Sequence, residues 1–241
     1  MASGPDTEKR VPLNRERVLR AAIALADSAG IEALTMRNLG KAVGVEAMSL
    51  YNHVANKDDI LNGMFDLIVS EIEPPSRHID WKTALRQSAV SAHETLLHHP
   101  WGCDLWTSSQ LWPARLRFSE ALLETLREAP FSKEITYHAY HVLDSYIVGY
   151  TRQETGYMSV PDNLPDLVAA FLRQLSTTEY PYFAEHVMQH LETTHGELRA
   201  FEFGLDLILL LLRFKQRFIR SLRRHLQSHR LIIKRWLFLA F

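Results

Sequence analysis

The chain has 241 residues, 46% of them hydrophobic and 10% aromatic, a composition that is typical of globular proteins and excludes an intrinsically disordered one. Its single cysteine excludes a disulfide framework, so we expect Cys103 in the core of a protein that lies in the reducing cytoplasm. The net charge of −1 gives no evidence for a nucleic-acid partner, and without an apolar run of about 18 residues no membrane segment is expected.

The charges are unevenly distributed along the chain. Residues 1–212 carry 18 basic and 28 acidic side chains, whereas residues 213–241 carry nine basic and no acidic ones. The first 60 residues are neutral, with eight side chains of each sign. The whole acidic excess before position 213 therefore lies in residues 61–212. A polyanion should approach the neutral residues 1–60 more easily than this acidic part of the chain.

The first predicted helix follows a polar segment, residues 1–12, which we expect to be a disordered arm. Asn14 is a suitable N-cap, and Val18 and Ala22 begin an apolar face at helical spacing. Gly30 ends the apolar pattern and predicts the end of the helix.

Residues 35–57 (TMRNLGKAVGVEAMSLYNHVANK) predict two short helices joined by a tight turn, followed by the start of another helix. Thr35 is a suitable N-cap, and Gly44 lies where a C-terminal cap favours positive φ. We expect the second helix to cover about Glu46 to His53. Its outward face holds small, polar and aromatic side chains: Ala47, Met48, Ser49, Tyr51 and Asn52. Such a face suits insertion into a DNA groove, although spacing alone leaves open an ordinary helical hairpin.

The run from Asn14 to Leu61 resembles the DNA-binding domain of the TetR family of bacterial transcriptional regulators. The matching residues are the first helix (RVLRAAIALADSAGIEALTMR), the turn AVGV, the core LYNHV and the following NKDDIL. The resemblance implies that Tyr51, His53 and Lys57 hold the phosphate backbone or flank the reading helix. The full predicted DNA-binding set is Thr35, Arg37, Ala47, Met48, Ser49, Tyr51, Asn52, His53 and Lys57.

The remaining sequence predicts only helices, so we expect an all-α fold with nine or ten helices in total. Asn56 caps a helix that the Pro74–Pro75 pair stops, and Asp80 caps the next one, which ends near His98. An irregular stretch is expected from about Pro100 to Gln110. Later helices are expected at Pro113–Ala129, Lys133 to about Glu154, Asp166–Leu175, Tyr182–Thr193, and from near Glu197 onward.

Two of these helices carry broad apolar stripes. Buried packing inside a monomer is one explanation for them. The family resemblance implies another, because family members dimerise through a four-helix bundle built from the equivalent helices. A glycine inside a helix costs about 1 kcal/mol relative to alanine, so we expect Gly149 where a second helix approaches closely. The predicted dimer interface is Val142, Tyr146, Gly149, Tyr150, Phe201, Leu205, Ile208 and Leu212.

The resemblance also implies a cavity for a small-molecule inducer in the second part of the chain. Aromatic walls with a few polar groups suit a mostly apolar ligand, while plain core packing is the alternative for each residue. The predicted ligand-binding set is Trp101, Trp106, Thr107, Trp112, Phe118, Leu122, Tyr137, His138 and His141.

Other chemistry finds little support in the sequence. The chain has 12 histidines, but no Cys₂His₂ spacing and no HExxH motif occurs. His138 and His141, with Asp144 one turn on, are more simply interpreted as ordinary pocket or surface residues. A hydrolase is disfavoured because no GxSxG turn exists. We therefore expect no catalytic residues, no enzymatic activity, no metal site and no cofactor.

Three regions follow from these patterns: a helix-turn-helix domain at residues 1–60, a ligand-binding and dimerisation domain at 61–212, and a basic extension at 213–241. The expected function is a cytoplasmic, homodimeric repressor that binds a palindromic operator and is released by an inducer. The alternative is a membrane-surface or partner-binding helical protein that acts through its basic tail. We expect the tail to be dispensable for operator preference.

Overall fold

A computed structural model describes residues 12–108, 112–129, 131–158, 164–175, 178–192 and 200–216. Regular structure within these ranges is entirely helical, which confirms the all-α prediction. The helices are α1 (Arg15–Ala29), α2 (Met36–Val43), α3 (Ala47–Leu50), α4 (Lys57–Glu71), α5 (Trp81–His98), α6 (Gly102–Trp106), α7 (Pro113–Glu128), α8 (Lys133–Met158), α9 (Leu164–Gln174), α10 (Pro181–Glu192) and α11 (200–216), with a 3₁₀ turn at Ile31–Ala33. The predicted arm, apart from residue 12, and most of the predicted tail lie outside the described residues.

The predicted N-caps all form. Asn14 Oδ1 accepts a hydrogen bond from the Arg17 backbone N–H at 2.8 Å, and Thr35 Oγ1 accepts one from Asn38 at 3.1 Å. Asn56 Oδ1 accepts from the backbone of Asp59 at 2.8 Å. At α5, Asp80 Oδ1 accepts from the backbone N–H groups of Lys82 and Thr83, both at 3.2 Å. Each cap satisfies an N–H group that has no partner within its own helix.

Two predicted helix ends differ from the structure, and one short helix was not predicted. Helix α3 ends at Leu50, because the backbone then tightens into three-residue bonds such as His53 N–H to Leu50 O at 2.8 Å. The stretch from about Pro100 to Gln110, which we expected to be irregular, contains the short helix α6. The N-terminus of α6 has no side-chain cap that would indicate a helix in the sequence. Helix α8 continues four residues beyond Glu154 to Met158.

The described residues divide into two compact units. The first comprises residues 12–72 and 94–119, except for the undescribed gap, and therefore holds α1 to α4, α6, and parts of α5 and α7. Its core includes Val18, Leu39, Leu50 and Phe65, all fully buried. This unit extends beyond the predicted 60-residue head, because α6 and the start of α7 pack in the same unit as α4.

The second unit comprises residues 73–93 and 120–216, except for the undescribed gaps. Its core includes Leu85, Leu143, Ile147 and Phe201. Arg86 on α5 forms ion pairs with Glu202 at 2.9 Å and Asp206 at 3.2 Å on α11. These pairs fix α5 against α11 within the unit.

Gly149 is not the glycine at which two helices of this chain meet. A methyl group built on Gly149 meets no atom within 4 Å. On Gly204 of α11, the same methyl group lies 2.7 Å from Cζ of Tyr146 and overlaps with the Tyr146 hydroxyl. The close approach of α8 and α11 therefore depends on Gly204, where the ring of Tyr146 lies against the backbone.

Within the described part of the chain, no helix is both long enough and apolar enough to cross a membrane.

Candidate functional site

The turn between α2 and α3 has the geometry that the sequence predicts. Gly44 adopts φ 75° and ψ 35°, the left-handed conformation that favours glycine, and the Val45 N–H donates to Gly40 O at 2.9 Å. The turn leads directly into α3, so the start of the second helix is fixed by the backbone of the first.

Helix α3 and the turn after it present the predicted outward face to solvent. Met48 is 76% exposed and Tyr51 is 47% exposed, whereas Leu50 is fully buried and anchors the helix. Asn52 is exposed, and Ala47 and Ser49 are partly exposed. This surface combines an apolar contact, an amide and an aromatic ring within six consecutive residues, 47–52.

The surrounding predicted residues also lie near the surface. Arg37 on α2 and Lys57 at the start of α4 are exposed, and His53 is partly buried. Thr35 is exposed, with its hydroxyl used as the α2 cap. Two cations thus flank the exposed face of α3 along the chain.

An ion pair fixes the start of α4 against α1. Arg15 donates from its two terminal guanidinium nitrogens to the carboxylate of Asp59, each at 2.8 Å, and Asp59 also accepts from the Ala55 backbone N–H at 2.8 Å. The hydrogen bond from Arg15 and then that from Ala55 lower the pKa of Asp59. The same pair raises the pKa of Arg15, so both groups are charged at neutral pH.

An aromatic cluster lies on α4, α6 and α7 inside the first unit. Phe65 has its ring centroid 6.2 Å from that of Trp106 and 5.3 Å from that of Trp112, and Trp106 lies 5.7 Å from Phe118. The guanidinium carbon of Arg115 lies 4.2 Å from the centroid of the Trp106 ring. Three of the predicted ligand residues are therefore brought together around Phe65, which sequence reasoning did not include.

Trp101 contacts the first helix. Its indole Nε1 donates to Asp27 Oδ1 at 2.7 Å, and His99 Nδ1 lies 2.8 Å from the same oxygen. This contact joins the end of α1 to the segment before α6. Trp101 is buried, and its indole N–H is bonded within the first unit.

The structure does not gather the other predicted ligand residues into this cluster. Thr107 is exposed and donates to the backbone of Asp104 at 3.1 Å. Leu122 is buried and belongs to the second unit. Tyr137, His138 and His141 lie on the exposed face of α8, with Tyr137 59% exposed.

Part of the predicted dimer set is unavailable to a second copy. Phe201 and Leu205 are fully buried within the chain, because they lie on the face of α11 that packs inside the second unit. The exposed apolar residues of the two helices include Val142, which belongs to the predicted set, and Phe203, Leu207, Leu210, Leu211 and Phe214, which do not. A shallow apolar cavity of about 230 Å³ lies between α8 and α11, and its lining includes His138, Val142, Ile208 and Leu212.

The second unit contains a buried polar cluster that the sequence analysis did not predict. His93 on α5 is fully buried, with Nδ1 2.8 Å from Thr151 Oγ1 and Nε2 3.2 Å from Glu154 Oε2, both on α8. Its ring stacks on Phe201 with centroids 3.9 Å apart. Burial lowers the pKa of His93 to about 4, so the ring is neutral at pH 7. Tyr146 donates to Phe201 O at 2.8 Å, and burial raises its pKa to about 12.

Comparison with known proteins assigns both parts of the chain. The sequence model for "Bacterial regulatory proteins, tetR family" matches residues 18–64, and that for "Tetracyclin repressor-like, C-terminal domain" matches residues 73–213. The class D tetracycline repressor of Escherichia coli is 27% identical over 208 residues, which cover 82% of this chain and 93% of that protein. The transcriptional repressor DrrR1 of Streptomyces coeruleorubidus is 29% identical over 153 residues, which cover 62% of this chain but only 57% of the repressor.

Solved structures share the fold. A possible TetR family transcriptional regulator from Streptomyces coelicolor A3(2) is 28% identical with a TM-score of 0.70, and the match covers 83% of this chain and 98% of that one. ActR of Streptomyces coelicolor, solved in complex with (S)-DNPA, has a TM-score of 0.66 at 24% identity, covering 84% and 98%.

Proposed function

Because the chain belongs to the tetR family of bacterial regulatory proteins, we propose that it is a ligand-responsive transcriptional repressor that binds a palindromic operator as a homodimer. The observation that carries this proposal is the exposed face of α3, presented by a helix-turn-helix in which Thr35 caps α2 and Gly44 forms the turn. Its relatives support the same interpretation, since they include the DrrR1 repressor and the class D tetracycline repressor.

Within this proposal, the residues of the head divide into two roles. Arg37, Tyr51 and Lys57 contact phosphates, which position the protein without reading sequence. Asn52 pairs with adenine through its amide, and Met48 and Ala47 offer apolar contact to a thymine methyl. Because only one of these three base-facing side chains carries a hydrogen-bonding group, we expect base readout to depend strongly on Asn52.

The phosphate role of Lys57 has a direct test. Lys57→Ala should weaken binding to all DNA sequences and reduce the slope of log affinity against log salt by about one. Lys133→Ala is the matched control, because Lys133 is also exposed in the first turn of a helix but lies in the second unit. An unchanged salt slope in Lys57→Ala, measured by fluorescence anisotropy on a fixed duplex, would remove Lys57 from the phosphate contacts.

The proposed dimer uses the exposed apolar faces of α8 and α11. A helix-turn-helix dimer places two reading helices roughly 34 Å apart, one turn of DNA. Gly149→Leu should separate the subunits and abolish operator binding, because it adds bulk on α8 at a position that is open within the chain. The variant should keep its helical content, because position 149 is open within the chain. A variant that still sediments as a dimer would place the interface elsewhere.

The proposed inducer is small and mostly apolar, and it binds beside the aromatic cluster of Phe65, Trp106, Trp112 and Phe118. Phe65 lies on α4, so a ligand that packs against this cluster favours one position of α4 over another. A shift of α4 in each subunit changes the separation of the reading helices and lowers operator affinity.

A further inference from the structure

A histidine in the segment between α5 and α6 lies between two carboxylates from different helices of the first unit. His99 Nδ1 lies 2.8 Å from Asp27 Oδ1, near the end of α1, and His99 Nε2 lies 3.6 Å from Oε2 of Glu71, the last residue of α4. Asp27 and His99 are 72 positions apart, so no spacing motif in the sequence reveals the group. We call Asp27, Glu71 and His99 the histidine site.

The contact with Asp27 determines which ring nitrogen of His99 is available to a ligand. Because a carboxylate oxygen only accepts hydrogen bonds, Nδ1 of His99 carries the ring hydrogen and donates it to Asp27. The same oxygen accepts from the indole N–H of Trp101 at 2.7 Å, so a second donor holds Asp27 in place. In the neutral ring, the free lone pair therefore belongs to Nε2, the nitrogen nearest Glu71.

The Nε2 atom of His99 is accessible from solvent. It has no hydrogen-bond partner in the described chain, and it is not among the fully buried polar atoms that lack one. The side chain of His99 is 14% exposed and that of Glu71 is 56% exposed. An ion from solvent therefore reaches both side chains.

The arrangement has the features of a metal-binding histidine and carboxylate. Imidazole nitrogen and carboxylate oxygen are both ligands of Zn²⁺. Bond lengths of about 2.1 Å and a tetrahedral angle separate two such ligand atoms by about 3.4 Å, and the measured separation is 3.6 Å. A metal-bound histidine usually donates its other ring N–H to a carboxylate or a carbonyl group, as His99 does to Asp27.

We propose that His99 Nε2 and the carboxylate of Glu71 bind a divalent transition-metal ion of the Zn²⁺ type, with Asp27 as the carboxylate that orients the ring. The described residues contain no set of three or more His, Cys, Asp and Glu side chains suited to a metal, so water molecules complete the coordination. Two protein ligands make a weak, exchangeable site. The bound ion joins the end of α4 to the segment before α6 and, through Asp27, to α1.

Co²⁺ is the probe, because it is a paramagnetic ion that the ligands of a zinc site also bind. The full-length protein has five tryptophans, so ¹⁵N labelling gives a small set of indole N–H resonances, and Trp101→Phe identifies that of Trp101. The ring centroids of Trp101 and His99 are 5.9 Å apart. Co²⁺ at the site should therefore broaden the Trp101 resonance saturably, and diamagnetic Zn²⁺ should restore it by competition.

Glu71→Gln and His99→Gln should each abolish the saturable broadening, because each removes one of the two ligand groups. Glu71 is more than half exposed, so Glu71→Gln still tests the site where His99→Gln disturbs the fold. Asp27→Asn should weaken Co²⁺ binding about tenfold, a typical effect of losing the partner of a metal-bound histidine. His98→Gln is the matched control, because His98 is exposed and directly precedes His99. This variant should bind Co²⁺ like the wild type.

A Trp101 resonance that Co²⁺ does not broaden would overturn the proposal and leave the histidine site as a structural contact between α1 and α4. Equal broadening in the wild type and in Glu71→Gln would overturn it as well. The same holds for loss of binding in His98→Gln, since surface histidines would then hold the ion. No DNA is present in the assay, so its outcome is separate from that of operator binding.

Discussion

The helix caps and turn of the head (residues 12–60) and the packing of α8 against α11 depend on contacts of different range along the chain. In the head, the caps of α1, α2 and α4 each join residues three positions apart, and the turn at Gly44 bonds within five residues. In the second unit, Tyr146 bonds to Phe201, 55 residues away, and Arg86 to Asp206, 120 residues away. The head therefore owes its local geometry to neighbouring residues, whereas the second unit depends on the complementary shapes of distant helices.

The largest change in stability is expected from a substitution at Gly204, where α8 and α11 meet. Gly204→Ala places a methyl group against the ring of Tyr146 and should lower the free energy of unfolding by about 2 kcal/mol, because overpacking forces α8 and α11 apart. Gly156→Ala is the matched control on α8, because Gly156 lies outside the proposed dimer interface. It meets open space and should stabilise the chain by up to about 1 kcal/mol. Urea denaturation of both variants measures the difference, and equal stabilities would show that the two helices do not meet at Gly204.

The head and the second unit should also differ in how their stability depends on pH. The pKa of His93 falls from 6.5 to about 4 on burial, so between these values the unfolded chain binds a proton that the folded chain does not. The stability of the second unit should therefore fall as pH drops from 6.5 toward 4, by at most about 1.4 kcal/mol for each pH unit. Asp59 in the head has a lowered pKa, so its contribution is lost only below the usual carboxylate range.

Urea midpoints measured at about pH 7, 5.5 and 4.5, which span the two pKa values of His93, test this expectation. His93→Phe should flatten the decline, since it removes the titrating ring but keeps an aromatic face for stacking on Phe201. His78→Phe is the control, because His78 is exposed and lies in the same unit. A His93→Phe variant with the same pH dependence as the wild type would contradict the assignment.

The smallest effects are expected at the helix starts of the head. Asn56→Ala removes the α4 cap and should cost about 1 kcal/mol. Arg20→Ala, which breaks an exposed pair with Glu16, should cost less than about 0.5 kcal/mol. Urea unfolding of the two variants measures both values. A cap variant no less stable than Arg20→Ala would show that the start of α4 is determined by tertiary packing.

The range of the contacts also explains what the sequence allowed us to predict. Asn14, Thr35, Gly44 and Asn56 act on their own neighbours, so residue type and spacing sufficed to place them. The exposed face of α3 followed from the same short pattern. Helix α6 was missed because its five residues start without a side-chain cap.

Prediction failed where the decisive partner lies far away in the sequence. Phe201 and Leu205 belong to the same apolar helix as the exposed Leu207, and periodicity does not tell its buried face from its exposed one. The buried position of His93 depends on Thr151, 58 residues away. The importance of Gly204 depends on the ring of Tyr146, which no local pattern reveals.

Selection from a random DNA pool tests the central claim most directly. The full-length protein should enrich a two-fold symmetric sequence whose half-sites lie about one helical turn apart. The folded Asn52→Ala variant should lose preference at one base pair in each half-site, because Asn52 is an exposed amide in the turn that follows α3. A pool that shows no enriched symmetric sequence, or one enriched identically by the wild type and Asn52→Ala, would contradict the assignment of α3 as the reading helix.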